Sequence, residues 1–142
     1  MTDSLFVDSS VLLHALGGPS PAREACVALV AAAGEARCTL HVSVEAVQEV
    51  VFHRMRRVPV SRAVEAGRRL SETAVVHPFD LDILRRSLLL VETCRIRGRD
   101  AVHAATAMAH GFDAVVTLDR DFEAVPGLGV VRPQDAVQRL AP

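Results

Sequence analysis

Short apolar runs alternate with amphipathic stretches along the whole chain. Leu5-Phe6-Val7 has the pattern of a buried strand and leads into Asp8, after which Ser9 and Ser10 stand where a helix is capped before Val11-Leu12-Leu13. Gly17-Gly18-Pro19 breaks that helix. Ser20 to Ala33 is rich in Ala with apolar residues at helical spacing, and Gly34 stops it. Thr39-Leu40-His41-Val42 predicts a second short strand, with Ser43 capping the helix that follows. In that helix Val44, Val47, Val51 and Met55 form one apolar stripe, Glu45, Glu49, His53 and Arg56 lie on the other side, and Pro59 ends it.

Ser61 to Glu72 predicts another helix, Ala74-Val75-Val76-His77 a strand, and Asp80 to Ile96 a longer amphipathic helix before Arg97-Gly98-Arg99. Asp100 to Ala109 is a helix of small side chains, suited to close packing on a sheet, and Gly111 terminates it. Ala114-Val115-Val116-Thr117 is the clearest buried strand. Asp119 to Phe122 forms the turn after it, Val130-Val131 a last strand, and Pro133 to Leu140 a closing helix. Strands alternating with helices, and too apolar to carry a wet face, imply a parallel sheet covered on both sides by crossovers. The expected architecture is α/β: a three-layer α/β/α sandwich around a central parallel sheet.

Composition narrows the class. At 142 residues, half of them hydrophobic and 23% charged, the chain is expected to be one globular domain spanning 1–142. No stretch approaches the roughly 18–20 uninterrupted apolar residues of a membrane span, and no basic segment followed by an apolar run opens the sequence. A cytoplasmic location is therefore expected. Cys26, Cys38 and Cys94 lack metal-ligand spacing and read as small buried hydrophobes in a reducing compartment. All 16 basic residues are Arg, and the net charge of −1 argues against simple coating of a polyanion while leaving room for a local basic face.

In a parallel α/β sheet, ligands bind outside the carboxyl ends of the strands. Asp8 ends the first strand, Asp119 follows Ala114–Thr117, Asp121 lies near it, and Asp100 opens the helix that returns to start that strand. Three acids from distant regions are thus expected at one edge. Taken singly, an Asp at a helix start is more often a cap. Converging carboxylates repel one another and are tolerated mainly around a cation, for which an all-oxygen set favours Mg2+ or Mn2+ over zinc. Ser9, Ser10 and Thr117 are placed to add hydroxyl contacts. Glu49 sits about 9 Å along its helix from Ser43 and, on spacing alone, reads slightly better as a solvated residue. Spacing does not choose between it and Glu45.

Val7-Asp8-Ser9-Ser10-Val11-Leu12, then Arg99-Asp100-Ala101-Val102-His103-Ala104-Ala105-Thr106-Ala107, then Val116-Thr117-Leu118-Asp119-Arg120-Asp121-Phe122 together resemble a PIN domain. The last two blocks, joined through Gly111 and followed by Pro126-Gly127-Leu128 and Val130-Val131, resemble the VapC branch of bacterial toxins, and the resemblance runs through essentially the whole chain. It implies that Asp8, Asp100 and Asp119 bind one or two Mg2+ or Mn2+ ions. It also singles out Glu49 as the fourth acid, six positions after Ser43, over Glu45. Val44 stands where the family often has Pro, and Ser9 where it often has Thr, departures that leave the acids intact.

The resemblance further implies a metal-dependent endoribonuclease, a toxin that stops growth until a cognate VapB-like antitoxin silences it, and a homodimer. In that chemistry a metal-activated water attacks a phosphodiester in line, and His103 is structural, packed within its Ala-rich helix or at a dimer face. Arg54, Arg56, Arg57 and Arg99 are candidates for holding RNA phosphates. The apolar helices between Ser20 and Glu72 are candidate surface for dimer and antitoxin alike. Ser10 stands where a haloacid-type phosphatase needs a second Asp, and the absence of Lys excludes a receiver site. The remaining rival is a non-catalytic nucleic-acid- or protein-binding α/β module in which these acids only cap helices.

Overall fold

The structure is a computed structural model and describes residues 3–140. Strands and helices follow in the order β1 (Asp3–Phe6), α1 (Ser9–Leu16), α2 (Arg23–Gly34), β2 (Cys38–Ser43), α3 (Val44–Arg54), α4 (Val60–Thr73) and β3 (Val75–His77). Then come α5 (Leu81–Cys94), α6 (Gly98–Ala109), β4 (Ala114–Val116), a short 3-10 turn (Arg120–Ala124), β5 (Gly129–Val131) and α7 (Pro133–Leu140). The order is the expected one. α6 begins two residues earlier than its sequence pattern implied, so Asp100 lies inside the first turn.

β1, β2 and β3 form one parallel ladder in that order, and β4 pairs with β5 in another. A parallel bridge between Val7 and Val116 joins them, with the Asp8 amide donating to the Val116 carbonyl at 3.2 Å. β1 therefore lies between β2 and β4. That is where the strand order reverses, and such a switch point opens a crevice at the carboxyl edge.

The two-residue period of the strands divides the core. Leu5, Val7, Leu40, Val42 and Val116 pack with residues of α1, α2, α3 and α7 in one cluster. Phe6, Val115 and Val130 pack on the other face against Ala101, Ala104 and Ala107 of α6 and Phe122 of the turn. Ala101 through Ala107 are buried without exception, because α6 lies between the sheet and Ile83 of α5 and only small side chains fit there. Cys26 and Cys38 are buried, whereas Cys94 is half-buried at the end of α5.

α3 departs from its predicted stripe. Its buried residues are Ala46, Val47 and Val50, while Val44 and Met55 are exposed. The inward face is turned toward Ala46, where the smallest side chain allows the closest approach, and the turn carries Glu49 to the edge of the core. Among the described residues no helix is long and apolar enough to cross a membrane.

Candidate active site

Asp8 follows β1 and is almost fully buried at the crevice floor. The Ser10 hydroxyl donates to its Oδ1 at 2.6 Å and is itself the acceptor for the Leu118 amide at 3.2 Å. Ser10 thus ties the start of α1 to the loop after β4. Burial raises the pKa of Asp8 above the ordinary carboxylate value, against the Ser10 and Thr117 hydroxyls and the His103 charge, which lower it. Thr117 accepts from the Asp119 amide at 2.9 Å, and Asp119 Oδ1 accepts from the Asp121 amide at 2.9 Å. Asp119 therefore does cap the turn after β4.

Asp100, from the first turn of α6, completes the cluster. Asp100, Asp119 and Asp121 each bring a carboxylate oxygen within 4.8 Å of the others. The pKa of Asp100 is pushed up to about 7, first by burial and then by the negative charges of Asp119 and Asp8, with His103 opposing. Such repulsion is what a bound cation relieves. Asp121, exposed on the turn after β4, joins this cluster.

Glu49 reaches the crevice through neighbours distant in sequence. Ser9 donates to its Oε2 at 3.0 Å, and His103 Nε2 bonds its Oε1 at 3.0 Å. On the far side of the ring, His103 Nδ1 lies 2.7 Å from the Ser43 hydroxyl, whose oxygen already accepts the Ala46 amide as the N-cap of α3. Glu49 is an acceptor, so Nε2 carries the proton that lies between them. Burial works against ionisation of Glu49, but the His103 bond and charge, the Ser9 hydroxyl and the Arg99 charge outweigh it and lower its pKa. Half-buried Glu49 is therefore an ionised, oriented carboxylate and not a solvated one. Among the described residues no such contact holds Glu45.

His103 is fully buried and does more than pack. It is three residues after Asp100 on α6, and so on the same helix face, a spacing visible in the sequence. Its polar partner was not, since Glu49 lies 54 residues away. Ser9 and Ser10 likewise hold Glu49 and Asp8 in place. We predict that His103→Ala lowers unfolding stability by about 3 kcal/mol, since it leaves a cavity and strips Glu49 of a buried partner. Urea denaturation monitored by circular dichroism measures this, and a loss under about 1 kcal/mol would mean that the bridge contributes little.

The basic candidates separate. Arg99 is exposed and close enough to Glu49 to act on its charge. Arg56 stacks 4.7 Å over the Phe52 ring, on the exposed side of α3. Arg54 and Arg57 line a different cleft with His14 and His53. The donor set of the crevice is all oxygen and clustered around a carboxyl group that holds a proton near neutrality, which fits a hard divalent cation.

Residues 5–128 match the family model of the PIN domain. The chain belongs to the PIN-domain family. This PIN domain is 34% identical over 121 residues to Ribonuclease VapC7 of Mycobacterium tuberculosis, an alignment covering 83% of each chain. Among solved structures it resembles a toxin–antitoxin complex from Klebsiella pneumoniae, with a TM-score of 0.69 at 23% identity over 91% of this chain and 97% of the other. It also resembles VapC20 of Mycobacterium tuberculosis, described as a sarcin–ricin loop cleaving toxin, with a TM-score of 0.69 at 22% identity over 84% and 93% of the two chains. At those identities the structures speak for the fold of this PIN domain, and the α/β/α arrangement with a parallel sheet is theirs as well as its own.

Proposed function

We propose that this PIN domain is an endoribonuclease, the toxin of a VapBC-type module, using Mg2+ or Mn2+ held by Asp8, Glu49, Asp100 and Asp119. The observation that carries the reading is the cluster of Asp100, Asp119 and Asp121 at the switch point, with Asp100 pushed up to about 7 by burial and by the charges of Asp119 and Asp8. Kinship to Ribonuclease VapC7 supports RNA as substrate. We also read residues 1–142 as one domain and its place of action as the cytoplasm.

Bound in the crevice, Mg2+ or Mn2+ supplies charge to neutralise the phosphate oxygens and a water of lowered pKa for in-line attack. The protein's part is positional. Ser10 fixes Asp8, and Ser9 and His103 fix Glu49, so the oxygens are in place before substrate arrives. Exposed Arg99 beside them attracts the phosphate. Asp121 adds a carboxylate at the crevice rim, and Asp100, its pKa raised to about 7 in the metal-free protein, would hold the cation as a carboxylate.

Two surfaces suit the partners of such a module. A cleft of about 790 Å³ between α1, α2 and α4, with Leu12, Leu16, Val30 and Leu70 in its walls, suits an apolar helix of a VapB-like antitoxin. α5 turns Leu81, Leu84, Leu88 and Val91 to solvent, a stripe that suits a second copy of the chain and lies outside the 20–72 region expected to supply it. Leu88→Glu is expected to convert the homodimer to monomer in sedimentation-velocity runs, and unchanged sedimentation would remove α5 from the interface.

The reading is tested by incubating antitoxin-free protein with total bacterial RNA in Mg2+, Mn2+ or EDTA and mapping new 5′ ends. Discrete cuts with metal and none in EDTA are expected. RNA bound but left intact in every metal would favour the non-catalytic binding module.

A further inference from the structure

A second cleft opens beside the acids, with an opposite chemistry. It has a volume of about 420 Å³ and is lined by His14, Ser20, His53, Arg54, Arg57 and the Gly17–Pro19 loop, without a single carboxylate. In a chain of net charge −1, a wall of two guanidinium and two imidazole groups is a local concentration of donors and positive charge. Neither Arg54 nor Arg57 is paired to an acid among the described residues.

Its position follows from the helices that make it. The Ser9–Glu49 hydrogen bond pins α1 to α3 at the level of the crevice. Leu13 and His53, which line the cleft, are each four residues further along those same helices, one turn or about 6 Å away. The cleft therefore continues the crevice down the α1–α3 seam. His14 is oriented by Ser20, whose hydroxyl lies 3.1 Å from Nδ1, and among the described residues its Nε2 has no protein partner. The loop floor is held close, because a Cβ on Gly17 would lie 2.9 Å from the Leu13 carbonyl oxygen.

We infer that this cleft is a phosphate subsite, which holds the RNA backbone next to the scissile bond while the carboxylates engage the bond itself. The inference rests on the ribonuclease reading. Arg54 and Arg57 supply charge and paired N–H donors to the phosphate oxygens, His14 adds a fixed donor, and no base is read. The cleft thus raises affinity for any single strand and sets its direction across the crevice.

The test uses full-length protein carrying Asp8→Asn, to stop cleavage, with a fluorescent single-stranded RNA titrated over a range of salt. Adding Arg57→Gln, or Arg54→Gln with Arg57→Gln, is expected to weaken binding about tenfold in the double variant. The slope of log affinity against log salt is expected to fall by about 0.7, one phosphate contact on a single strand. Arg68→Gln, on the exposed face of α4, is expected to leave both unchanged. Equal slopes with and without Arg54 and Arg57, or an equal loss from Arg68→Gln, would overturn the subsite. If the protein with native Asp8 still cuts RNA in that event, the ribonuclease reading survives; if that protein neither cuts nor binds RNA, both fail.

Discussion

Asp8→Asn is expected to reduce metal-dependent RNA cleavage by about a thousandfold while leaving the fold intact. The loss follows because one ligand charge at the crevice floor is removed, and charge stabilisation of several kcal/mol goes with it. The fold survives because Ser10 donates to Asp8 Oδ1, an oxygen that Asn retains, and because burial already disfavours the charge at this position. Initial rates of cleavage of a mapped RNA at saturating Mn2+, together with an unchanged circular dichroism spectrum, measure this. A loss of less than tenfold in a folded variant would take Asp8 out of the chemistry.

The second large effect has opposite signs in two assays. Asp100→Asn is expected to abolish cleavage and yet stabilise the metal-free protein. Asp100 has its pKa raised to about 7 from 3.8, so between those values the folded chain binds a proton that the unfolded chain has released. Stability on this account falls as pH rises through that window, and the full cost is present above about pH 7. Asp8, also raised, acts in the same sense. Glu49 acts oppositely: its lowered pKa contributes stability that is present above 4.5 and lost as pH falls below it. Allowing for solvent screening of a partly exposed group, Asp100→Asn should add about 2 kcal/mol at pH 8 in EDTA, a rise of about 6 °C in Tm. At pH 4 the variant and the native protein should melt together. Equal melting at both pH values would mean that neither burial nor the neighbouring carboxylates raise the pKa of Asp100.

The residues differ in how far they could be read from the sequence. Val115 and Val116 were legible because a strand buried on both faces has no polar alternation, and Asp8 and Asp119 because an acid ending such a strand falls at the carboxyl edge. Ser43 announced itself as a cap and is one. Glu49 was not legible from physics alone, since helical spacing sorts residues onto faces without saying what each face meets. Here Glu45 and Glu49 share a polar side, and only the arrival of His103 and Ser9 separates them. The resemblance to PIN domains selected Glu49 where spacing could not. The stripe in α3 misled for a related reason: Val44 outranks Ala46 in hydrophobicity, but the closeness of packing favours the smaller residue. α5 is amphipathic in sequence, and its apolar side is divided between Ile83 in the core and leucines left in solvent, a division that periodicity does not disclose.

The claim on which everything rests is that the crevice acids hold a divalent cation, and titrating metal-free protein with Mn2+ in a calorimeter tests it most directly. At pH 6.5, in two buffers of different ionisation heat, the native chain should bind Mn2+ and release a proton, because Asp100 is still largely protonated before the ion enters. Asp100→Asn should bind much more weakly and release none. Mn2+ binding of equal strength in both proteins, or no binding by the native chain, would contradict the account.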